Sequence, residues 1–251
     1  MNNVLNGVQA FFKEPIVKFG LLLGLALMLA AGSLGDAIAA RNLDENISVT
    51  GAASQEITSD NASWEIHYTR QSKDLKSGYA QIAADLTRVK AFLKAQGLKE
   101  ADYNPGSVNT TTLYSKNSQG YDTNNVEAYR LEQSVRVELK DPQKVEAISQ
   151  NTADLVNQGV MLESTSPQYY YSKLDDLKID MIGEATKNAV ERGRKIAQST
   201  GRDVGVLRSA NVGVFQITAK NSTEVSDYGI YDTSSREKKV TAVVNATFSV
   251  R

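Results

Sequence analysis

The residues able to do chemistry are few, and their spacing narrows what they could do. His67 is the one histidine, and the chain has no cysteine. Thiol catalysis, disulfides, iron–sulfur clusters and zinc sites built on Cys or on paired His are thereby excluded. His67 stands in an alternating segment, on the side shared with Ser63, Glu65 and Thr69, which makes it a solvated or hydrogen-bonded strand histidine rather than a catalytic base. Asp175, Asp176 and Asp180 could hold a divalent cation, but acids entering a helix equally complement its N-terminal dipole. Glu127 and Glu132 would suit glycoside cleavage only on one face, and strand residues five apart point to opposite sides. Tyr169, Tyr170 and Tyr171 could form a platform for stacking sugars or bases; along a strand they alternate between outside and inside. No Gly-x-x-x-x-Gly-Lys phosphate loop and no Gly-x-Ser-x-Gly elbow occurs. The expectation is a protein that is not an enzyme, with no catalytic residue, cofactor or metal.

The charge balance supports that view. The 251 residues carry 28 Lys and Arg against 29 Asp and Glu, a net charge of −1 that argues against nucleic acid as a partner. A hydrophobic fraction of 41% with 23% charged residues is enough for a folded core.

The elements that must position these residues begin with a charge-free run, Phe19 to Gly35. At about 1.5 Å per residue it reaches roughly 25 Å, near the lower limit for a hydrocarbon core of about 30 Å. Ile16 and Val17 extend it, Lys18 can snorkel, and Pro15 suits a first helical turn. A transmembrane helix is expected, with Phe19, Leu21, Leu22, Leu23, Leu25, Leu27 and Leu29 facing lipid. Lys13 and Lys18 on one flank, and Asp36, Asp44 and Glu45 with a lone Arg41 on the other, put the N-terminus in the cytoplasm. The chain after about Ala40 then lies outside a bacterial cytoplasmic membrane crossed once. Two other readings stay open: a buried core helix, and a signal peptide cleaved after Ala37-Ile38-Ala39. The expected division is 1–40 for tail and anchor, 41–46 for a polar stalk and 47–251 for one exported domain.

In that domain Ile47-Ser48-Val49 opens a strand, and Ala62, Trp64, Ile66 and Tyr68 give the next an apolar face. Asp74–Gln96 reads as a helix on Leu75, Tyr79, Ile82, Ala83, Leu86, Val89, Phe92 and Leu93, with Gly97 past its end. Strands follow at Val108–Tyr114 and, after a polar loop Ser115–Asn125, at Tyr129–Lys140. A second helix starts at Asp141-Pro142, carries Val145, Ile148, Leu155 and Val156, and ends at Gly159. Val160–Ser172 is extended, and Leu174–Thr200 forms a third helix. Val204–Thr218 is strand-like, Asn221–Glu237 is a second polar loop, and Lys238–Arg251 is the last strand. Insertion of single helices among strands that can pair as hairpins predicts an α+β fold: an antiparallel or mixed sheet with three helices packed on it. Ala185, Ala189, Gly193 and Ala197 recur every four residues in the third helix, a close-packing stripe that wants a neighbour, either the domain's own sheet or a second subunit.

In order and spacing, these residues resemble the SIMPL domain family, which includes the periplasmic immunogenic protein of Brucella. The family's first strand reads V-x-G-x-G, matched by Val49 and Gly51 with Ala53 in place of the second glycine. Its Pro-Asp-x-Ala entry to the second strand is matched by Asp60 and Ala62, with Ser59 for the proline. The central strand (Tyr129, Val135, Val137), Gly159, and the small-residue ladder through Ala197, Gly201 and Gly205 complete the likeness over Ile47–Arg251. The resemblance implies an exported bacterial protein, loosely tied to stress and without agreed catalytic residues. The Brucella relative's ring-like, channel-shaped assembly makes further copies of this chain, with the lipid bilayer, the expected partners. A binding module for a small molecule or glycan, using the tyrosines beside a sheet groove, is the alternative.

Overall fold

Period-2 alternation decides the first sheet. β2 (Asn61–Ser72) buries Ala62, Trp64, Ile66 and Tyr68 and turns Ser63, Glu65, His67 and Thr69 the other way. β5 (Asp122–Leu139) does the same with Leu131, Val135 and Val137, and the two pair antiparallel from Ala62 opposite Leu139 to Ser72 opposite Tyr129. The structure is a computed structural model describing residues 15–42, 45–163 and 166–251, with no side chains given for 15–18, 21 and 34–42.

β3 (Tyr103–Pro105) and β4 (Asn109–Lys116) pair with β5 on its other side, and β6 (Met161–Glu163) and β7 (Gln168–Tyr170) pair with β2. α2 (Leu75–Ala95), α3 (Pro142–Gln150) and α4 (Ala153–Asn157) bring Ile82, Val89, Leu93, Val145, Ile148 and Leu155 onto the sheet's apolar face in one core. The Asp74 carboxylate caps α2 by accepting from the Ser77 N–H, and Asp141 caps α3 through the Lys144 N–H. Gly97, at φ +77°, takes the left-handed turn after α2 that other residues resist.

A second sheet corrects the expectation of a single one. Its order is β1 (Asn46–Thr58), β11 (Glu237–Val250), β9 (Gln216–Ala219), β10 (Ile230–Tyr231), with β8 (Val204–Val212) also on β11. The β9–β10 pair is parallel, so this sheet is mixed. The helix α5 (Leu174–Ser199) supplies Leu177, Met181 and Ala185 to one core with Ile57, Ile217, Val240 and Val244, and Ala189 to another with Val49, Ala246 and Phe248.

By compactness the chain forms two units: residues 1–51, 188–211 and 245–251, and residues 52–187 with 212–244. β1, α5, β8 and β11 each contribute residues to both.

Other departures from the sequence pattern have local causes. The expected second helix is two, because Asn151 ends α3 with its N–H on the Ile148 carbonyl, and Val156 is exposed. Leu75 and Tyr79 are exposed as well. The expected strand Val204–Thr218 divides where the Gly213 N–H donates to Val243, one residue out of the register that β9 keeps with β11. The polar loop expected at Ser115–Asn125 shrinks, because β4 runs on to Lys116 and β5 starts at Asp122.

At the other end, α1 (Pro15–Asn42) is one continuous helix of 28 residues, and β1 begins at Asn46. Its described side chains run unbroken only over 22–33, and among the described residues no helix is long and apolar enough to cross a membrane. Phe19, Leu22, Leu23, Leu25, Leu27 and Leu29 are exposed; the Leu21 side chain lies outside the described residues.

Candidate functional site

The polar face of the first sheet forms a groove. Because β2 and β5 both alternate, their outward residues meet in rows: Ser63 opposite Glu138, Glu65 opposite Arg136, His67 opposite Ser134. β7 adds Gln168 opposite Ser63 and Tyr170 opposite Asn61. The result is a cavity of about 500 Å³ lined by Glu65, His67, Arg136, Glu138, Gln168 and Tyr170, with the hydroxyls of Ser63 and Ser166.

Glu65 is the centre of its polar contacts. Its carboxylate accepts from the Ser134 hydroxyl at 2.9 Å, lies 3.4 Å from His67 Nε2 and 3.8 Å from Arg136 Nη2. Tyr170 Oη donates to Gln168 Oε1 at 2.6 Å. The Ser134 hydroxyl is thus bonded to the carboxylate, which is not the order of a Ser–His–acid relay. What it offers a ligand is a mixture of hydroxyl, amide, carboxylate and guanidinium groups around a partly exposed imidazole, suited to a hydrogen-bond-rich molecule.

The three tyrosines part company. Tyr169 is buried in the first core, Tyr170 borders the groove, and Tyr171 packs against the core of Leu177 and Met181. They form no common platform. Burial raises the pKa of the Tyr169 phenol, and the Glu146 carboxylate adds to this.

Two of the acids considered for chemistry are held in surface ion pairs. Asp175 pairs with Lys178, and Glu132 with Arg130. Among the described residues no three or more His, Cys, Asp and Glu side chains gather as a metal site.

The close-packing stripe is buried along its length, at Ala185, Ala189, Gly193 and Ala197. A methyl placed on Gly193 would stand 3.4 Å from Phe248 and 3.6 Å from Ile47, so β1 and β11 face the helix here.

Three buried polar residues escaped the sequence reading. Asp85, fully buried on α2, accepts from Arg70 Nε and Nη2 and from Arg88 Nη1, while Arg70 also reaches the Gly159 carbonyl. Gln133 accepts from the Tyr68 hydroxyl at 2.8 Å and donates to the Gly106 carbonyl at 2.8 Å. Burial, then the Asp85 charge, push the Tyr68 pKa far up. Lys238 donates to the carbonyls of Asp232 and Ser235, closing the loop before β11; burial lowers its pKa against the pull of Asp232. Each was visible as a polar residue at a position the apolar period claims for the core.

These features define an α+β protein with two sheets, a helix of small residues and a polar sheet face. A family model described as SIMPL, protein of unknown function (DUF541), matches residues 47–248, and the chain belongs to that family. No curated protein matches it in sequence. The motif residues hold recognisable places: Val49 and Gly51 are buried in β1, and Asp60 accepts from the N–H and hydroxyl of Ser172 just before α5. A Cβ on Gly205 would stand 2.5 Å from Ser249 Oγ, which explains that glycine.

Proposed function

We propose that this SIMPL-family chain is a membrane-anchored, exported, non-catalytic protein whose domain assembles with copies of itself into a closed ring with a structural, stress-related role in the bacterial envelope. The observation that carries the anchor is α1. Its exposed side chains at Phe19, Leu22, Leu23, Leu25, Leu27, Met28 and Leu29 surround the helix, since each residue turns it by about 100°. A helix apolar on every side and uncovered by protein is suited to lipid. Self-assembly is supported by β8, which pairs with β11 and carries exposed Val206 and Leu207 on opposite faces. An edge strand of this kind is a template for another chain, and head-to-tail contacts close into rings when their rotation allows.

Flotation of the full chain with lipid vesicles, together with mass spectrometry of the protein from membranes, tests the anchor. An intact chain that floats supports it; a mature N-terminus at Ala40 overturns it.

A second reading, a binding module for a small molecule or glycan, is favoured by the groove of Glu65, His67, Arg136 and Tyr170. A thermal-shift screen of sugars and zwitterions would support it by a rise in melting temperature that Arg136→Ala and Tyr170→Phe abolish.

A further inference from the structure

Past the anchor, the unit of residues 1–51, 188–211 and 245–251 is unevenly charged. Its segments 45–51, 188–211 and 245–251 hold six cations, Arg192, Arg194, Lys195, Arg202, Arg208 and Arg251, against three carboxylates, Glu45, Glu191 and Asp203. All six cationic residues are exposed. Two of them mark where the chain enters this unit. Arg202 forms an ion pair with Glu45, the Val250 N–H donates to the Glu45 carbonyl, and Arg251 and Asp203 exchange backbone hydrogen bonds. Arg202 is also tied to the end of α5, its N–H donating to the Ala197 carbonyl. Arg194 and Lys195 lie on that last stretch of α5, beside a groove of about 870 Å³ that also takes in Ile196 and, across it, Ser48–Thr50 of β1. Arg192 is held there by donating to the Thr50 carbonyl.

Chain length limits how far Glu45, the ion-pair partner of Arg202, can stand from a bilayer. The 28 residues of α1 give about 42 Å, the thickness of a bilayer with its headgroups. From Asn42 to Glu45 there are three peptide steps, at most about 11 Å. The basic end therefore begins close to the Debye length of about 8 Å at physiological salt.

We infer that the basic surface at the C-terminal end of α5, centred on Arg194 and Lys195, docks on anionic phospholipid headgroups of the leaflet that α1 leaves. The inference rests on the anchored reading above. Each cation brought near such a surface favours the docked state about fivefold, so the pair shifts the balance by about twentyfold or more. Exposed Ile196 among them gives the contact an apolar element.

The absence of cysteine allows a direct test on the full chain. A nitroxide on Gln198→Cys, at the groove, reports proximity to a headgroup-bound relaxing agent in phosphatidylcholine vesicles with and without 30% phosphatidylglycerol. The expected result is at least threefold stronger relaxation with phosphatidylglycerol, falling to the phosphatidylcholine value in 0.5 M KCl and in the Arg194→Gln/Lys195→Gln variant. Equal relaxation in both vesicles, with the protein floating in each, overturns the docking and leaves the anchor standing. Failure to float overturns both.

Discussion

Ala189→Leu tests the packing of α5 at a fully buried position. Ala189 has no exposed surface and sits among Val49, Ala246 and Phe248, with Ile47 and Val190 at the margin. Three extra carbons have no solvent to enter, so the helix must lift or the new side chain must take a strained rotamer. Overpacking of this kind costs roughly 1–3 kcal/mol. For a domain of this size each kcal/mol lowers the melting temperature by about 2–4 °C, so a fall of about 2–12 °C is expected. Gly193→Ala is the informative companion. Its methyl would meet Phe248 at 3.4 Å and Ile47 at 3.6 Å, near-ordinary contact, and alanine is favoured over glycine in a helix by about 1 kcal/mol. That variant should melt at or slightly above wild type. Lys187→Leu, on an exposed side chain paired with Glu184, should change little. Circular dichroism melts of the full chain in detergent measure all three. If Ala189→Leu melts with wild type, the stripe is not the packing surface described here.

Removing the buried carboxylate by Asp85→Asn leaves Arg70 without its charge partner and should cost about 3–5 kcal/mol in urea denaturation. Asp232 is 17% exposed; burial alone would raise its pKa, but the hydroxyl and N–H of Ser234, then Ser235 and the Lys238 ammonium, hold it at about 2. Its folded pKa lies below the ordinary 3.8, so the stabilisation of about 2 kcal/mol is complete above pH 4 and is lost as pH falls through about 2. Asp232→Ala should flatten that part of the acid-stability curve. His67→Gln should leave the fold near wild type, since His67 is partly exposed and its neighbour Glu65 keeps the Ser134 hydrogen bond; a melting temperature lowered by more than about 4 °C would contradict this.

Where local chemistry decides an element, the sequence was a sufficient guide. The alternation of Trp64, Ile66 and Tyr68, the Asp141 cap, and the end of α5 before Gly201 are all properties of a few adjacent residues. The division into two sheets was not legible, because β1 and β11 pair across nearly the whole domain and periodicity is silent about partners. The ends of β4 and β5 were read as loop because their residues are polar on both faces and give no alternation.

The groove was half legible. Alternation put Glu65 and His67 on one face, and it put Arg136 and Glu138 on the polar face of another strand. Only the register that sets Glu65 opposite Arg136 makes them one surface. The buried polar residues carried a signal of a different kind. Asp85 falls between Ile82 and Val89 on the apolar stripe, Gln133 between Leu131 and Val135, and Lys238 in phase with Val240. A polar side chain in a core position demands a partner, and here those demands are met by Arg70, by Tyr68 and by the carbonyls of the loop before β11.

The proposed assembly is tested most directly by the mass of the full chain extracted in mild detergent, measured by light scattering with the detergent subtracted. A single species at a fixed multiple of 27.3 kDa, independent of concentration and ring-shaped under the electron microscope, is the expected result. A monodisperse monomer over the same concentration range would contradict it.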